Sequence, residues 1–200
     1  MSFISTTAPE NAHGPTGALY QRLGAGGYLP NYARLFSHRP ELMEHISRLM
    51  DALREPLPPR QWKLANFAAA RACNSSYCSL AYARRLLDGE LEEAQVHALA
   101  EGREAALEDA EQALVEFATR VASDPAHIEQ ADIDRLRACG YSDTQIFDLA
   151  AAVSYRCFFS RIADALGAPP DAELANGLDS ELVRALCTGR APAAPAFQQS

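Results

Sequence analysis

The stretch from Tyr141 to Pro170, YSDTQIFDLAAAVSYRCFFSRIADALGAPP, constrains this chain more than any other. Ser142 or Asp143 serves as an N-cap, and Gly167 ahead of Pro169 and Pro170 forms a helix stop. Between these signals Ile146, Leu149, Val153 and Cys157 recur at spacings of three and four. One long helix with an apolar stripe follows, and such a stripe needs other helices to cover it.

The rest of the chain supplies them. Residues 104–123 repeat the pattern, with Leu107, Ala110, Leu114, Phe117, Ala118 and Val121 on one face and acids on the other, so the spacing predicts a helix from Glu104 to Ser123. RPELMEHISRLMDALREPLPP places Pro40 at a helix start and Pro56, Pro58 and Pro59 beyond its end. RQWKLANFAAARAC is alanine-rich and helix-prone. No stretch alternates with the period of two that a half-buried strand requires. The expectation is an all-α fold of roughly eight to ten helices. It comprises an extended N-terminal arm over residues 1–15, one helical domain over 16–188 and a disordered tail over 189–200.

Charge and cysteine content narrow the function. With a net charge of −8 the chain repels phosphate backbones, and nucleic acid is not expected as a partner. Arg84 and Arg85, with Arg71 upstream, read as a solvated helix face. No apolar run approaches the ~18 residues of a membrane span. MSFISTTAPENAHG lacks the basic and apolar regions of a signal peptide. The five cysteines, at 73, 78, 139, 157 and 187, form no CxxC pair and no zinc spacing, which points to reduced thiols and a cytoplasmic protein. The histidines at 13, 38, 45, 97 and 127 show neither HxxxH nor HExxH spacing, so no metal and no cofactor are expected. Trp62 reads as core or interface, and Arg156 and Arg161 as interface residues of the long helix.

NSSYCSLAY, Asn74 to Tyr82, carries the strongest chemical signal. Asn74 and Ser75 break the alanine-rich run and open a second helix. With Ser75 as N-cap, Cys78 is the third helical residue and its sulfur lies near the positive end of the helix dipole. That dipole is worth only about 0.3–1 kcal/mol, too little to make a strong nucleophile without a neighbouring base or cation.

RQWKLANFAAARACNSSYCSLAY resembles the active-site segment of the alkylhydroperoxidase D-like proteins of the carboxymuconolactone decarboxylase superfamily. GYLPNYARLFSHRPEL and the stretch from Ala113 to Asp171 resemble other parts of the peroxidase-related branch, so the likeness covers most of residues 15–175. It implies an all-α fold, assembly as a dimer, trimer or hexamer, and thiol-based antioxidant chemistry. The family relays protons through a Glu and a His and uses two cysteines spaced as CxxC. Carried over residue by residue, the Glu position falls on Lys63, the resolving cysteine on Ser75, the peroxidatic cysteine on Cys78 and the His on Tyr82. The resemblance therefore implies peroxide reduction at a single cysteine, with an external thiol as reductant. In this reading Lys63 supports the sulfur and Tyr82 donates a hydrogen bond to a bound oxygen. Two alternatives stay open. One is acid–base or Schiff-base chemistry on a small carbonyl compound or lactone through Lys63 and Tyr82, and the other is a non-catalytic helical oligomer.

Overall fold

The computed structural model describes residues 2–103 and 107–193. Among these residues there are eleven α-helices, two of them shorter than six residues, and no strand. The helices that build the site are α1 (Gly14–Leu23), α2 (Asn31–Leu35), α3 (Pro40–Arg54), α4 (Pro59–Ala72), α5 (Ser76–Leu87), α7 (Asp109–Ser123) and α9 (Asp143–Ala165). Helices α6 (Glu93–Ala100), α8 (Gln130–Ala138), α10 (Ala172–Ala175) and α11 (Ser180–Leu186) pack around them. No described helix is long and apolar enough to cross a membrane.

Helix α4 is the centre, packed against α5, α7 and α9. Proline at its first position presets the helical φ. Its residues from Leu64 to Ala70 are buried without interruption, as expected of a helix enclosed on all sides. Four of these seven are alanine, which lets the neighbouring helices come close. Trp62, at the head of this run, is core.

Helix α7 starts later than its apolar spacing predicts. Glu108 is the N-cap, with extended backbone, and Leu107 is buried ahead of the first turn. The three residues 104–106 of the expected helix lie outside the described residues.

Helix α9 begins with a capping box. Ser142 Oγ accepts from the Gln145 amide, and Gln145 Oε1 accepts from the Ser142 amide at 2.9 Å. It ends at Gly167, whose φ of +80° favours glycine. A Cβ there would also come within 2.9 Å of the Phe3 ring. The N-terminal arm is thus tied to this helix end, with the Phe3 amide donating to Leu166 O at 2.9 Å and Arg190 stacked over the Phe3 ring.

The arm is not wholly extended. It contains a 3-10 turn over Pro9–Asn11, and α1 begins at Gly14. Residues 189–193, read from sequence as the start of a disordered tail, run along the domain. The Gly189 amide donates to Ser76 Oγ and the Ala193 amide to Pro170 O. Residues 194–200 lie outside the described set.

Asp171 joins distant parts of the chain. Its carboxylate is buried, accepts from the Asn31 amide at 2.7 Å and accepts the phenol of Tyr77. This pins the start of α2 to the first turn of α5. Burial, reinforced by the Asp171 charge, pushes the Tyr77 phenol well above its ordinary range. A raised native pKa contributes stability that is complete below the unfolded value, about 10 for tyrosine, and is lost as pH rises above it. Urea denaturation of the wild type should therefore show stability falling above about pH 10, with a shallower alkaline limb in Tyr77→Phe. Gly167→Ala should cost about 1–2 kcal/mol in the same assay at neutral pH through its left-handed backbone.

Candidate active site

Ser75 is the N-cap of α5, with extended backbone, and its Oγ accepts from the Cys78 amide at 3.4 Å. Asn74 makes the preceding break with a φ of +54°, a left-handed conformation that asparagine tolerates better than most residues. The cap sets Cys78 and Tyr82 one turn apart on the inward face of α5, where they are 2% and 1% exposed.

The cation beside Cys78 is Arg156. Its guanidinium is buried in the middle of α9 and each of its three nitrogens is engaged. Nε donates to Asn66 Oδ1 at 2.9 Å, Nη1 to Cys78 Sγ at 3.7 Å and Nη2 to Tyr82 Oη at 2.7 Å. Asn66, fully buried on α4, is oriented by its own Nδ2 donating to Trp62 O at 2.8 Å. The guanidinium stacks on Tyr82, with Cζ 4.6 Å from the ring centroid, and faces Tyr155 and Phe159 at 5.4 and 5.3 Å. Among the described residues no carboxylate pairs with it. Burial works against its charge, but Tyr82 and Cys78 outweigh that, and Arg156 sits above its ordinary range.

Cys78, Tyr82 and Arg156 face a cavity of about 280 Å³ whose wall includes Tyr32, Met43, Tyr77, Tyr155 and Phe159. Arg22, Asp51 and Arg85 also line it, and Arg85 covers the other flank of the Tyr82 ring at 4.8 Å. Larger surface grooves exist, but none of them contains Cys78. An apolar chamber with a few convergent polar groups fits a small organic molecule better than an ion.

The structure brings Ser75, Cys78 and Tyr82 together and places Lys63 elsewhere. Lys63 Nζ pairs with Glu90 at 2.9 Å, and Lys63 does not line the Cys78 cavity. Asn66, one turn further along α4, holds Arg156, and Arg156 makes the contact with the sulfur expected of Lys63. Arg156, read from sequence as an interface residue, is an internal one. Its signal lay in the sequence, because position 156 continues the apolar face of Leu149 and Val153, where an arginine is rarely buried without purpose. Asn66 gave a similar signal as the one amide among the apolar residues from Leu64 to Ala70. Cys73 and Cys78 are both free thiols, and Cys73 does not line the Cys78 cavity. Among the described residues one cluster has ligand atoms close enough for a cation, His97 with Asp179 and Glu181, and its two carboxylates are exposed. Asp179 Oδ2 is already used in capping α11.

No family model matches the sequence, and no curated protein matches it significantly. Solved structures do match. The chain has the fold of the alkylhydroperoxidase D core. A peroxidase-related protein from Ralstonia eutropha JMP134, described as an AhpD core, superposes with a TM-score of 0.77 at 21% identity, covering 86% of this chain and 94% of that one. A peroxidase-related protein from Silicibacter sp. TM1040 gives 0.73 at 19%, covering 88% and 100%. The debrominase Bmp8, as a cysteine-to-alanine variant in complex with 2,3,4-tribromopyrrole, gives 0.71 at 18%, covering 93% and 97%. This AhpD-core fold is the all-α architecture expected from the sequence resemblance.

The cap is the local feature on which the thiol's placement depends. Ser75→Ala should lower stability by about 1–2 kcal/mol, read from the urea midpoint. An unchanged midpoint would mean that another group satisfies the first turn of α5.

Proposed function

We propose that this chain reduces a small organic hydroperoxide with Cys78 as its nucleophile and an external thiol as reductant. The observation that carries this reading is the buried Arg156 guanidinium, which among the described residues has no carboxylate partner and donates to both the Cys78 sulfur and the Tyr82 oxygen. A buried charge without a counter-charge is costly. A hydrogen bond from a cation is strongest when its acceptor carries negative charge, so Arg156 is placed to support charge on sulfur and on oxygen during reaction.

The steps balance. The Cys78 sulfur attacks the distal oxygen of the hydroperoxide and the O–O bond breaks. The departing alkoxide takes a proton from Tyr82, whose phenol oxygen is held by Arg156. The thiol proton restores the phenol, leaving a sulfenic acid and an alcohol. One external thiol then forms a mixed disulfide with release of water, and a second frees Cys78. Ser75 at the resolving position cannot form an internal disulfide, so both electrons of the reset come from outside. Lys63 has no part in this scheme, and Schiff-base chemistry in this cavity lacks a lysine.

A second reading has its own observation. The aromatic wall of Tyr32, Tyr77, Tyr155 and Phe159 suits a flat ring, and Bmp8 shares the fold with a brominated pyrrole bound. In that reading Cys78 acts on a halogenated aromatic substrate. The resemblance also supports a homo-oligomer, for which Phe147 and Phe158 are exposed on α9.

Hydroperoxide consumption with a dithiol reductant should vanish in Cys78→Ser. It should fall by about 10²–10³ in Arg156→Met and by a similar factor in Tyr82→Phe, through loss of charge stabilisation and of the proton donor. Lys63→Ala should keep the wild-type rate. Activity surviving in Cys78→Ser would refute the scheme, and bromide release from a bromoaromatic without hydroperoxide turnover would select the second reading.

A further inference from the structure

Arg84 and Arg85 read from sequence as one solvated helix face, and the fold separates them. Arg84 donates to the carbonyls of Glu173 and Asn176, whereas Arg85 lines the Cys78 cavity. Cys78, Tyr82 and Arg85 stand at i, i+4 and i+7 and so share one face of α5. About 10 Å of helix axis separates the first from the last. Arg85 lies over the Tyr82 ring with Cζ 4.8 Å from its centroid, which orients the guanidinium plane. A second guanidinium comes from the last turn of α1. Arg22 Nη1 donates to Ser47 Oγ at 3.1 Å, and Ser47 Oγ donates to Met43 O at 2.9 Å, so Arg22 is held against α3 on the same cavity. Both arginines are exposed, which places them at its rim.

Among the described residues neither Arg22 nor Arg85 forms an ion pair. The carboxylate on this rim is Asp51, which faces Arg54 at 3.7 Å. Asp88 shares a neighbouring surface groove with Arg85 without pairing to it. A chain with a net charge of −8 repels anions on average, so two unpaired guanidinium groups on one cavity are a local exception. Behind them the wall of Tyr32, Tyr77, Tyr155 and Phe159 suits a ring and would leave a carboxylate without charged partners. Arg156, deeper in, is already engaged by Asn66, Cys78 and Tyr82. The cavity volume of about 280 Å³ lies just below the ~300–1,000 Å³ common for drug-sized ligands, which leaves room for one ring.

We propose that Arg22 and Arg85 set the specificity of this cavity and that its substrate is a single-ring aromatic molecule carrying a carboxylate. The carboxylate binds the two guanidinium groups at the rim, whose planar forks match it. The ring lies against the tyrosines and Phe159, and the opposite end reaches Cys78, about 10 Å back along α5. That this end is a hydroperoxide rests on the Cys78 scheme; the carboxylate subsite does not. In that scheme the O–O bond breaks as already described, and the product is the corresponding alcohol with its carboxylate unchanged.

Isothermal titration calorimetry on the full-length Cys78→Ser protein tests this, with phenylacetate and its neutral counterpart phenylacetamide as probes. Phenylacetate should bind about tenfold tighter than phenylacetamide. The preference should shrink as salt is raised, because both guanidinium groups are exposed. Arg22→Gln and Arg85→Gln should each weaken phenylacetate binding about threefold, and the double variant should bind the two probes equally. Arg137→Gln, on α8, makes the same change in net charge and should keep the preference. The inference is overturned if phenylacetate shows no binding at millimolar concentration, or if the two probes bind equally to the Cys78→Ser protein. It is also overturned if the double variant keeps the preference, or if Arg137→Gln loses it. Binding is read without turnover in a chain lacking the thiol. A failed hydroperoxide assay therefore leaves this result standing, and failure here leaves the Cys78 scheme untouched.

Discussion

A buried guanidinium with no carboxylate partner among the described residues is the constraint around which the centre of this molecule is arranged. Arg156 cannot shed its charge and has no bulk water to solvate it, so its donors must end on protein groups. They end on an amide of α4, a sulfur and a phenol of α5, while three aromatic rings cover its faces. Each partner is itself held. Asn66 is fixed by the Trp62 carbonyl, and Cys78 and Tyr82 are fixed by the helix that Ser75 caps. A shift of α9 relative to α4 and α5 would leave several of these groups unpaired at once, so the helix register and the chemistry are coupled.

The supporting shell follows from ordinary helix rules. Alanines in α4 let α5, α7 and α9 approach, and that closeness allows one arginine to span between two neighbouring helices. Both chain ends return to the end of α9 and the start of α5, through Phe3, Gly189 and Arg190. Asp171, carrying Tyr77 and the Asn31 amide, closes the remaining side. The first turn of α5, which holds Cys78, is thereby braced by segments from across the sequence.

Legibility in the sequence tracked the range of the interaction. The cap at Ser75 and the inward positions of Cys78 and Tyr82 depend on residues within two turns of one another, and the spacing NSSYCSLAY shows them. The identity of the cation depends on which side chain of a distant helix reaches the sulfur, and the family resemblance assigns that role to Lys63. Lys63 lies on α4 at an angle that takes it to Glu90, while Asn66 and Arg156 take the inward positions. The start of α7 was misplaced for a related reason. Leu107 keeps the apolar spacing although Glu108 is the N-cap, so it is buried from outside the helix.

The sequence by itself determined that the chain is all-α, where α3 and α9 begin and end, and that one cysteine sits at a capped helix start. Those properties rest on periodicity, capping and proline placement, which act over a few residues. Only the tertiary structure decided that Arg156 donates to Cys78, that Asn66 holds Arg156, and that Lys63 pairs with Glu90 outside the Cys78 cavity. Each of these pairs residues far apart in the chain, and their meeting depends on the angle and depth at which α4, α5 and α9 pack.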